Sequence, residues 1–178
     1  MNEEIMVLVD ENDQEIGQLE KIETHKRGLL HRAVSVFLVD IYGNWLLQQR
    51  AATKYHSPNL WTNAVCTHPR PGESPIEAAK RRLKEEIGAE CELYELFTFI
   101  YKEQVGQDMI ENEFDHIFLG INTSELKLNP NEVSNTMYIP FPALEADVAI
   151  NPHKYTVWFK KLFSVVQPYI VDKVNIQY

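Results

Sequence analysis

A thiol and an imidazole lie two residues apart near the middle of this 178-residue sequence, at Cys66 and His68. They follow a short apolar run, residues 60–65, that is typical of a strand. On an extended segment side chains two apart point the same way, so the pair favours a reactive environment. The alternative for Cys66 is a small buried hydrophobe, the usual role of a free cysteine.

Three carboxylates alternate along a second segment, at Glu111, Glu113 and Asp115. In a strand they share one face, and that face becomes apolar at Ile117 and Leu119. A buried face that also collects negative charge needs cations, a metal ion or protonation in compensation. An edge strand with a solvated acidic end is equally compatible with this spacing.

Three of the six histidines, His25, His31 and His68, stand at the ends of predicted elements. Three imidazoles near two carboxylates would suit zinc, iron or manganese. A lone histidine is more often a surface or core residue, and positions far apart in sequence do not by themselves converge. From the residues alone, the metal site is therefore one hypothesis beside that simpler interpretation.

Four cations, Lys21, Arg50, Lys54 and Arg82, stand at the ends of loops or elements. The net charge of -9 argues against nucleic acid as a partner, but a few converging cations can still bind a small anion such as a diphosphate. Scattered surface charge is the alternative, and Arg82 could simply pair with Glu86 one helical turn on. Trp158 belongs to an aromatic core stripe or, facing a pocket, could stabilise a cation.

The elements that must position these residues indicate one α/β domain over residues 1–178, built around a mixed sheet. Strands are predicted at 6–9, 15–19, 29–40, 45–49, 60–65, 91–102, 110–121 and 136–141. Residues 75–87 should form a helix, with Ser74 and Glu77 as a capping box and Gly88 as its stop. Shorter helices are expected at 20–25 and 142–148, and a closing amphipathic helix should end before Pro168.

Composition also limits the cellular compartment and the partners that are expected for the protein. No apolar run approaches a membrane span, so a membrane partner is not expected, and residues 1–20 are too acidic for a signal or transit peptide. Two cysteines form no disulfide framework, which favours a reducing cytoplasm. The oligomeric state is left open by the sequence.

The segment from Glu73 to Gly88 resembles the Nudix box, a loop–helix motif that binds metal-complexed diphosphates. Two positions depart from it: Thr67 stands where glycine is expected, and Arg82 stands where the first glutamate of the helical cluster is expected. Nudix hydrolases generally use that glutamate to hold catalytic magnesium. Arg82 therefore argues against hydrolysis.

The chain from about Leu19 to Trp158 resembles one branch of that superfamily, the type I isopentenyl diphosphate isomerases. The strongest matches are the residues WTNAVCTHP at 61–69 and Glu111-Asn112-Glu113. The resemblance implies a Nudix-like α/β/α sandwich around a mixed β-sheet, with N-terminal strands and a C-terminal helix added. It also implies a metal-dependent isomerase of isoprenoid biosynthesis whose substrate is a small isoprenoid diphosphate.

The same resemblance assigns roles residue by residue. A Mn²⁺ or Zn²⁺ ion would be held by His25, His31, His68, Glu111 and Glu113. Mg²⁺ on the substrate diphosphate would be held by Glu86 and the backbone carbonyl of Cys66. Substrate would be bound by Lys21, Arg50, Lys54, Arg82 and Trp158. The catalytic groups would be Glu113 with Tyr101 as proton donors and Cys66 as proton acceptor.

The implied reaction converts isopentenyl diphosphate to dimethylallyl diphosphate. A proton is added to the terminal alkene carbon and another is lost from the neighbouring methylene, through a tertiary carbocation. One alternative is a Nudix diphosphohydrolase acting on nucleotide-type diphosphates, against which Arg82 argues. Another is a non-catalytic diphosphate-binding module, against which Cys66, Glu86 and Glu113 argue.

Overall fold

A computed structural model describes residues 4–106 and 108–174 of the chain. Its strands are β1 (Ile5–Val9), β2 (Glu15–Glu20), β3 (His31–Val39), β4 (Trp45–Arg50), β5 (Trp61–Thr62), β6 (Val65–Thr67), β7 (Leu93–Gln104), β8 (Ile110–Ile121) and β9 (Val133–Ile139). Its helices are α1 (Lys21–Arg27), α2 (Pro75–Ile87), α3 (Phe141–Ile150) and α4 (Val157–Val174), with a 3₁₀ turn at Pro152–Lys154.

The strands form one mixed sheet in which β3 is the central element. β3 pairs in parallel with β8 and antiparallel with β1, β4 and β6, while β7 continues the sheet beyond β8. Its run of β-branched and aromatic residues is buried on both faces, as expected of a central strand. The two strands that carry most of the predicted site, β3 and β8, therefore lie side by side.

The side chains of β3 divide between two hydrophobic clusters, one on each face of the sheet. Phe37 and Val39 pack with α3 and α4 residues such as Leu144 and Phe159. Val34, Val36 and Leu38 pack with α2, whose buried stripe is Ala78, Ala79, Leu83 and Ile87. The sheet thus lies between two helical layers, which confirms the predicted α/β/α arrangement.

Helix α2 begins and ends where its sequence predicts. The Ser74 backbone N–H donates to Glu77 Oε2 at 2.9 Å, which is one half of the capping box. Gly88 ends the helix with φ of 68°, in the left-handed region. A Cβ at Gly88 would lie 2.8 Å from Lys127 Cβ, so a larger residue fits neither the backbone nor the space.

Helix α4 corrects the prediction that the closing helix ends before Pro168, because it continues through that residue to Val174. Proline lacks the N–H that would donate to the carbonyl four residues back, which normally ends a helix. Val166 and Ile170, on either side, are fully buried in the core. Their burial offsets the lost hydrogen bond.

The predicted strand at 60–65 is replaced by two short strands, β5 and β6, with Asn63 and Ala64 between them. Asn63 Nδ2 donates to the carbonyl oxygens of Val36 at 3.1 Å and Val65 at 2.8 Å, so its side chain supports the break.

Among the described residues, none of the helices combines the length and hydropathy needed to span a bilayer.

Candidate active site

The three alternating carboxylates lie on β8 at the centre of the sheet. Glu111, Glu113 and Asp115 are 3, 8 and 0% exposed, and β8 is flanked by β3 and β7. The alternative of a solvated edge strand is therefore wrong. The parallel register sets His31 opposite Glu113, which brings the first histidine to the carboxylates.

Three histidines converge on Glu111 from three different elements. One ligand atom from each of His25, His31, His68 and Glu111 lies within 4.8 Å of the others, and all four residues are buried. His25 is supplied by α1, His31 by the start of β3, and His68 by the segment after β6. The predicted convergence of these histidines is present in the structure.

The Nδ1 atoms of two histidines are held by backbone carbonyl oxygens. His25 Nδ1 lies 2.7 Å from the Lys21 carbonyl oxygen and His31 Nδ1 lies 2.9 Å from that of Leu29, so each Nδ1–H donates and each Nε2 is left as an acceptor. Both Nε2 atoms and Glu111 Oε2 are buried without a hydrogen-bond partner. Unpaired acceptors of this kind are costly without a cation between them, so the residues fit a metal ion.

Burial keeps His31 and His68 in the neutral form that metal ligands need. Burial lowers the pKa of His31 to about 4 and holds the pKa of His68 well below its usual range. Burial would raise the pKa of Glu111, but contacts from His25 and His56 outweigh it and hold that pKa well below the ordinary value. Glu111 is therefore anionic beside the neutral imidazoles of His31 and His68. Burial alone would lower the pKa of His25, but its contact with Glu111 raises it.

Glu113 stands outside the four-residue group but contacts two of its members. Its Oε1 lies 3.1 Å from His68 Nε2 and 3.8 Å from His31 Nε2, and the Tyr101 hydroxyl donates to Oε2 at 2.6 Å. Burial, with the negative charges of Glu111 and Asp115, raises the pKa of Glu113 well above its usual value. Its buried position, with the Tyr101 hydroxyl at Oε2, suits this carboxyl to deliver a proton as a general acid.

Cys66 lines the same cavity as Glu113 and Tyr101. Its Sγ lies 3.1 Å from Asn63 Oδ1, and burial raises the pKa of the thiol to about 12, so the thiol keeps its proton without bound cations. Behind it the Ser35 hydroxyl, 3.8 Å from Sγ, donates to Asp115 Oδ2 at 2.7 Å. The cavity therefore contains a carboxyl and a thiol that can both transfer protons.

The four predicted cations line this cavity, which encloses about 230 Å³. Lys21 Nζ lies 2.8 Å from Glu4 Oε2, and Lys54 pairs with Glu132. Arg50 is almost fully buried, and its Nε and Nη2 donate to the carbonyl oxygens of Ser57 and His56 at 3.2 and 3.1 Å. The wall is thus rich in donors that suit an anionic ligand.

Glu86 and Arg82 form the connection between helix α2 and the cavity. Glu86 is buried, with Oε1 2.6 Å from Arg82 Nη2 and Oε2 3.1 Å from Gln48 Nε2. Arg82 also contacts Glu85 at 3.0 Å and Glu132 at 3.3 Å. The pair is therefore part of a charged network and not an isolated surface ion pair.

Trp158 belongs to the core, and it also reaches the cavity wall. Its Nε1 donates to Thr62 Oγ1 at 2.9 Å, which fixes the plane of the indole. The Arg50 guanidinium carbon lies 5.3 Å from the centre of its ring. Trp158 is thus a core residue that also lines the cavity, and its role toward a substrate cation stays a prediction.

Several cavity residues were missed by sequence reasoning: Tyr55, His56, Arg70, Arg81 and Glu132. His56 Nε2 lies 3.0 Å from Glu111 Oε1, so it is a fourth histidine at the carboxylate. It falls in a polar loop without periodic spacing, and only the fold brings it to β8. Arg81 forms a salt bridge with Glu73, and the Arg81 Nε lies 2.6 Å from Glu73 Oε1.

Residues 29–159 of the chain match the model of the NUDIX domain family. Isopentenyl-diphosphate Delta-isomerase 2 of Photorhabdus laumondii is 48% identical over 162 residues, which cover 91% of this chain and 92% of the relative. Isopentenyl-diphosphate Delta-isomerase 2 of Aromatoleum aromaticum is 44% identical over 156 residues, which cover 88% and 82% of the two chains.

The fold is also similar to solved structures of much lower sequence identity. A crystal structure of a protein from Deinococcus radiodurans superposes with a TM-score of 0.68 at 22% identity, covering 83% of this chain and 90% of that one. A MutT protein from Methanosarcina mazei gives a TM-score of 0.63 at 16% identity and covers 79% of this chain and 94% of its own. At such identities the likeness supports the fold alone.

Proposed function

The chain belongs to the isopentenyl-diphosphate Delta-isomerases within the NUDIX family, and on that premise we propose that its cavity interconverts isopentenyl diphosphate and dimethylallyl diphosphate. One observation carries the proposal. The buried carboxyl of Glu113, which accepts a hydrogen bond from Tyr101, lines the same cavity as the partly exposed thiol of Cys66. Moving a double bond needs one group that gives a proton and another that takes one.

In the forward direction Glu113, assisted by Tyr101, gives a proton to the terminal alkene carbon. The π electrons form the new C–H bond and leave a tertiary carbocation. Cys66 must first lose its own proton to solvent, which bound cations near the sulfur would favour. Its thiolate Sγ then takes a proton from the neighbouring methylene, and the electrons of that C–H bond form the new double bond. The indole of Trp158 faces the cavity and favours positive charge near its ring.

The proposed metal ligands are His25, His31, His68, Glu111 and Glu113, and the ion is Mn²⁺ or Zn²⁺ because nitrogen ligands suit both. The buried, unpaired Nε2 atoms of His25 and His31 support this assignment. When bound, the ion supplies positive charge that orients and polarises the Glu113 carboxyl. Glu113 itself holds and delivers the proton.

We propose that a second site involves Glu86 and the carbonyl oxygen of Cys66, which suit Mg²⁺ carried by the substrate diphosphate. In this structure both carboxylate oxygens of Glu86 accept hydrogen bonds, Oε1 from Arg82 and Oε2 from Gln48. Arg82 must therefore turn from Glu86 to the diphosphate when substrate binds. Its Nε is buried and unpaired, so the side chain has donor capacity to offer.

The substrate is a small isoprenoid diphosphate, and the proposed setting is the reducing cytoplasm. Both cysteines are free, in keeping with that setting. Lys21, Arg50, Lys54 and Arg82 would bind the phosphate oxygens, which lie away from the carbons that react. Their interactions should then be similar in the ground state and in the transition state.

Replacing Arg50 or Lys54 with alanine should raise KM by about 10- to 100-fold, the loss expected for one charged hydrogen bond, with a smaller effect on kcat. Steady-state kinetics on Arg50→Ala and Lys54→Ala would measure both constants. Lys84→Ala is the matched control, since Lys84 is an exposed α2 lysine paired with Glu90. A loss confined to kcat would place Arg50 and Lys54 at the reacting carbons instead.

The reaction is tested by incubating the protein with isopentenyl diphosphate and magnesium and measuring the acid-labile allylic product. We expect that product to form without release of phosphate. Phosphate release from nucleoside diphosphate derivatives, without any allylic product, would overturn the proposal in favour of a diphosphohydrolase.

A further inference from the structure

His56 is a buried histidine at the metal site that the proposed ligand set does not use. Its side chain is 5% exposed, and its Nε2 lies 3.0 Å from Glu111 Oε1. The other carboxylate oxygen, Oε2, faces His25 Nε2 at 3.3 Å and has no hydrogen-bond partner. The two oxygens of Glu111 are therefore in different surroundings, Oε1 toward His56 and Oε2 toward His25, one of the three clustered histidines.

The contacts of His56 define its tautomer. An ionised carboxylate accepts hydrogen bonds only, so Nε2 carries the proton that is donated to Glu111. Nδ1 lies 3.3 Å from the Ser57 hydroxyl oxygen, where it can accept a hydrogen bond. With its Nε2 protonated, His56 acts on the metal site through Glu111 and is not itself a ligand.

The loop that carries His56 is held firmly in place. Arg50 donates to the carbonyl oxygens of His56 and Ser57, and Ser57 adopts a positive φ of 47° that few residues other than glycine adopt. The His56 ring packs edge-on against Trp158 and Tyr55, with centroid distances of 5.8 and 4.4 Å. These contacts fix the direction in which Nε2 points.

We propose that His56 is a positioning residue that binds Glu111 Oε1 and so presents only Oε2 to the metal ion. This inference rests on the proposed function, because it takes His25, His31, His68 and Glu111 as ligands. Hydrogen bonds to ligating carboxylates orient them, and their loss typically weakens metal binding by about 10- to 100-fold. His56 also joins the substrate-binding Arg50 to the metal ligands through one loop.

The test compares Mn²⁺ affinity of metal-free protein variants, measured by competition with a chelator and without substrate. His56→Phe keeps a ring of similar size but removes the donor, and it should weaken binding by about 10- to 100-fold. His56→Gln places an amide N–H near the position of Nε2 and should bind close to the wild-type value. His56→Leu, which also lacks the donor, should weaken binding as His56→Phe does and serves if the latter does not fold.

The electron paramagnetic resonance spectrum of bound Mn²⁺ gives a second readout that a loss of packing alone would not move. It should change in His56→Phe, where both Glu111 oxygens become available, and stay as in the wild type in His56→Gln. His116→Phe is the matched control: His116 is also buried and contacts two carboxylates, Glu95 at 2.6 Å and Asp13 at 3.1 Å, away from the cavity. Its Mn²⁺ affinity should not change.

Equal Mn²⁺ affinity in the wild type and in His56→Phe or His56→Leu would overturn the role of His56 and leave the proposed ligand set intact. Failure of the wild type to bind one Mn²⁺ tightly would overturn the ligand set and the role of His56 together. The two failures are distinguishable, because only the second appears in the unsubstituted protein.

Discussion

Replacing Cys66 with alanine should lower turnover by about 10²- to 10⁴-fold, the range expected when a general acid or base is removed. The substitution deletes the sulfur that exchanges a proton with the substrate methylene. It leaves Lys21, Arg50 and Lys54 in place, so diphosphate binding should persist. Steady-state kinetics, with substrate binding followed separately by calorimetry, would measure both effects.

Cys91→Ala is the control for this experiment, because Cys91 is the other free cysteine and does not line the cavity. It should retain activity. Circular dichroism would establish that both variants fold, which is expected because the partly exposed thiol of Cys66 contributes little packing. Near-normal turnover in Cys66→Ala would contradict a mechanism with proton-transfer groups on two sides of the substrate.

Replacing His68 with asparagine should remove both the bound transition ion and most of the activity. His68 is buried and its ligand atom lies within 4.8 Å of those of His25, His31 and Glu111. Its Nε2 also contacts Glu113, the proposed proton donor, at 3.1 Å. The purified wild type should carry one tightly bound transition ion and still require added magnesium, which prefers oxygen ligands. Elemental analysis would count the ions.

His153→Asn is the matched control, since His153 is exposed in the 3₁₀ turn at Pro152–Lys154, outside the cluster. It should lose neither metal nor activity. Equal metal content in the wild type, His68→Asn and His153→Asn would remove His68 from the ligand set and weaken the assignment of the other four residues.

The elements with strong local signals could be predicted from the sequence, and those set by packing could not. Helix α2 begins and ends as its capping box and Gly88 indicate, because these signals act within a few residues. Pro168 gave an equally clear local signal, but the burial of Val166 and Ile170 in the core outweighs it. The break between β5 and β6 depends on hydrogen bonds of Asn63 to Val36, a residue distant in sequence.

The site shows the same division between local and distant information. Strand periodicity predicts that Glu111 and Glu113 share a face, but their burial follows only from the position of β8 between β3 and β7. The family resemblance predicts that His25, His31 and His68 bind one metal ion, although the three residues are distant in sequence. His56 has neither periodicity nor a matching motif, so its contact with Glu111 is visible only in the folded chain.

The most direct test of two-sided proton transfer is to run the isomerisation in D₂O and follow the product by NMR. Glu113 and Cys66 both line the cavity, so we expect each to exchange protons with solvent between turnovers, and the proton added to the terminal carbon should come from the solvent pool. We predict dimethylallyl diphosphate with one deuterium in a methyl group. Dimethylallyl diphosphate without deuterium would mean that a single group carries the same proton from one carbon to the other, and would contradict this account.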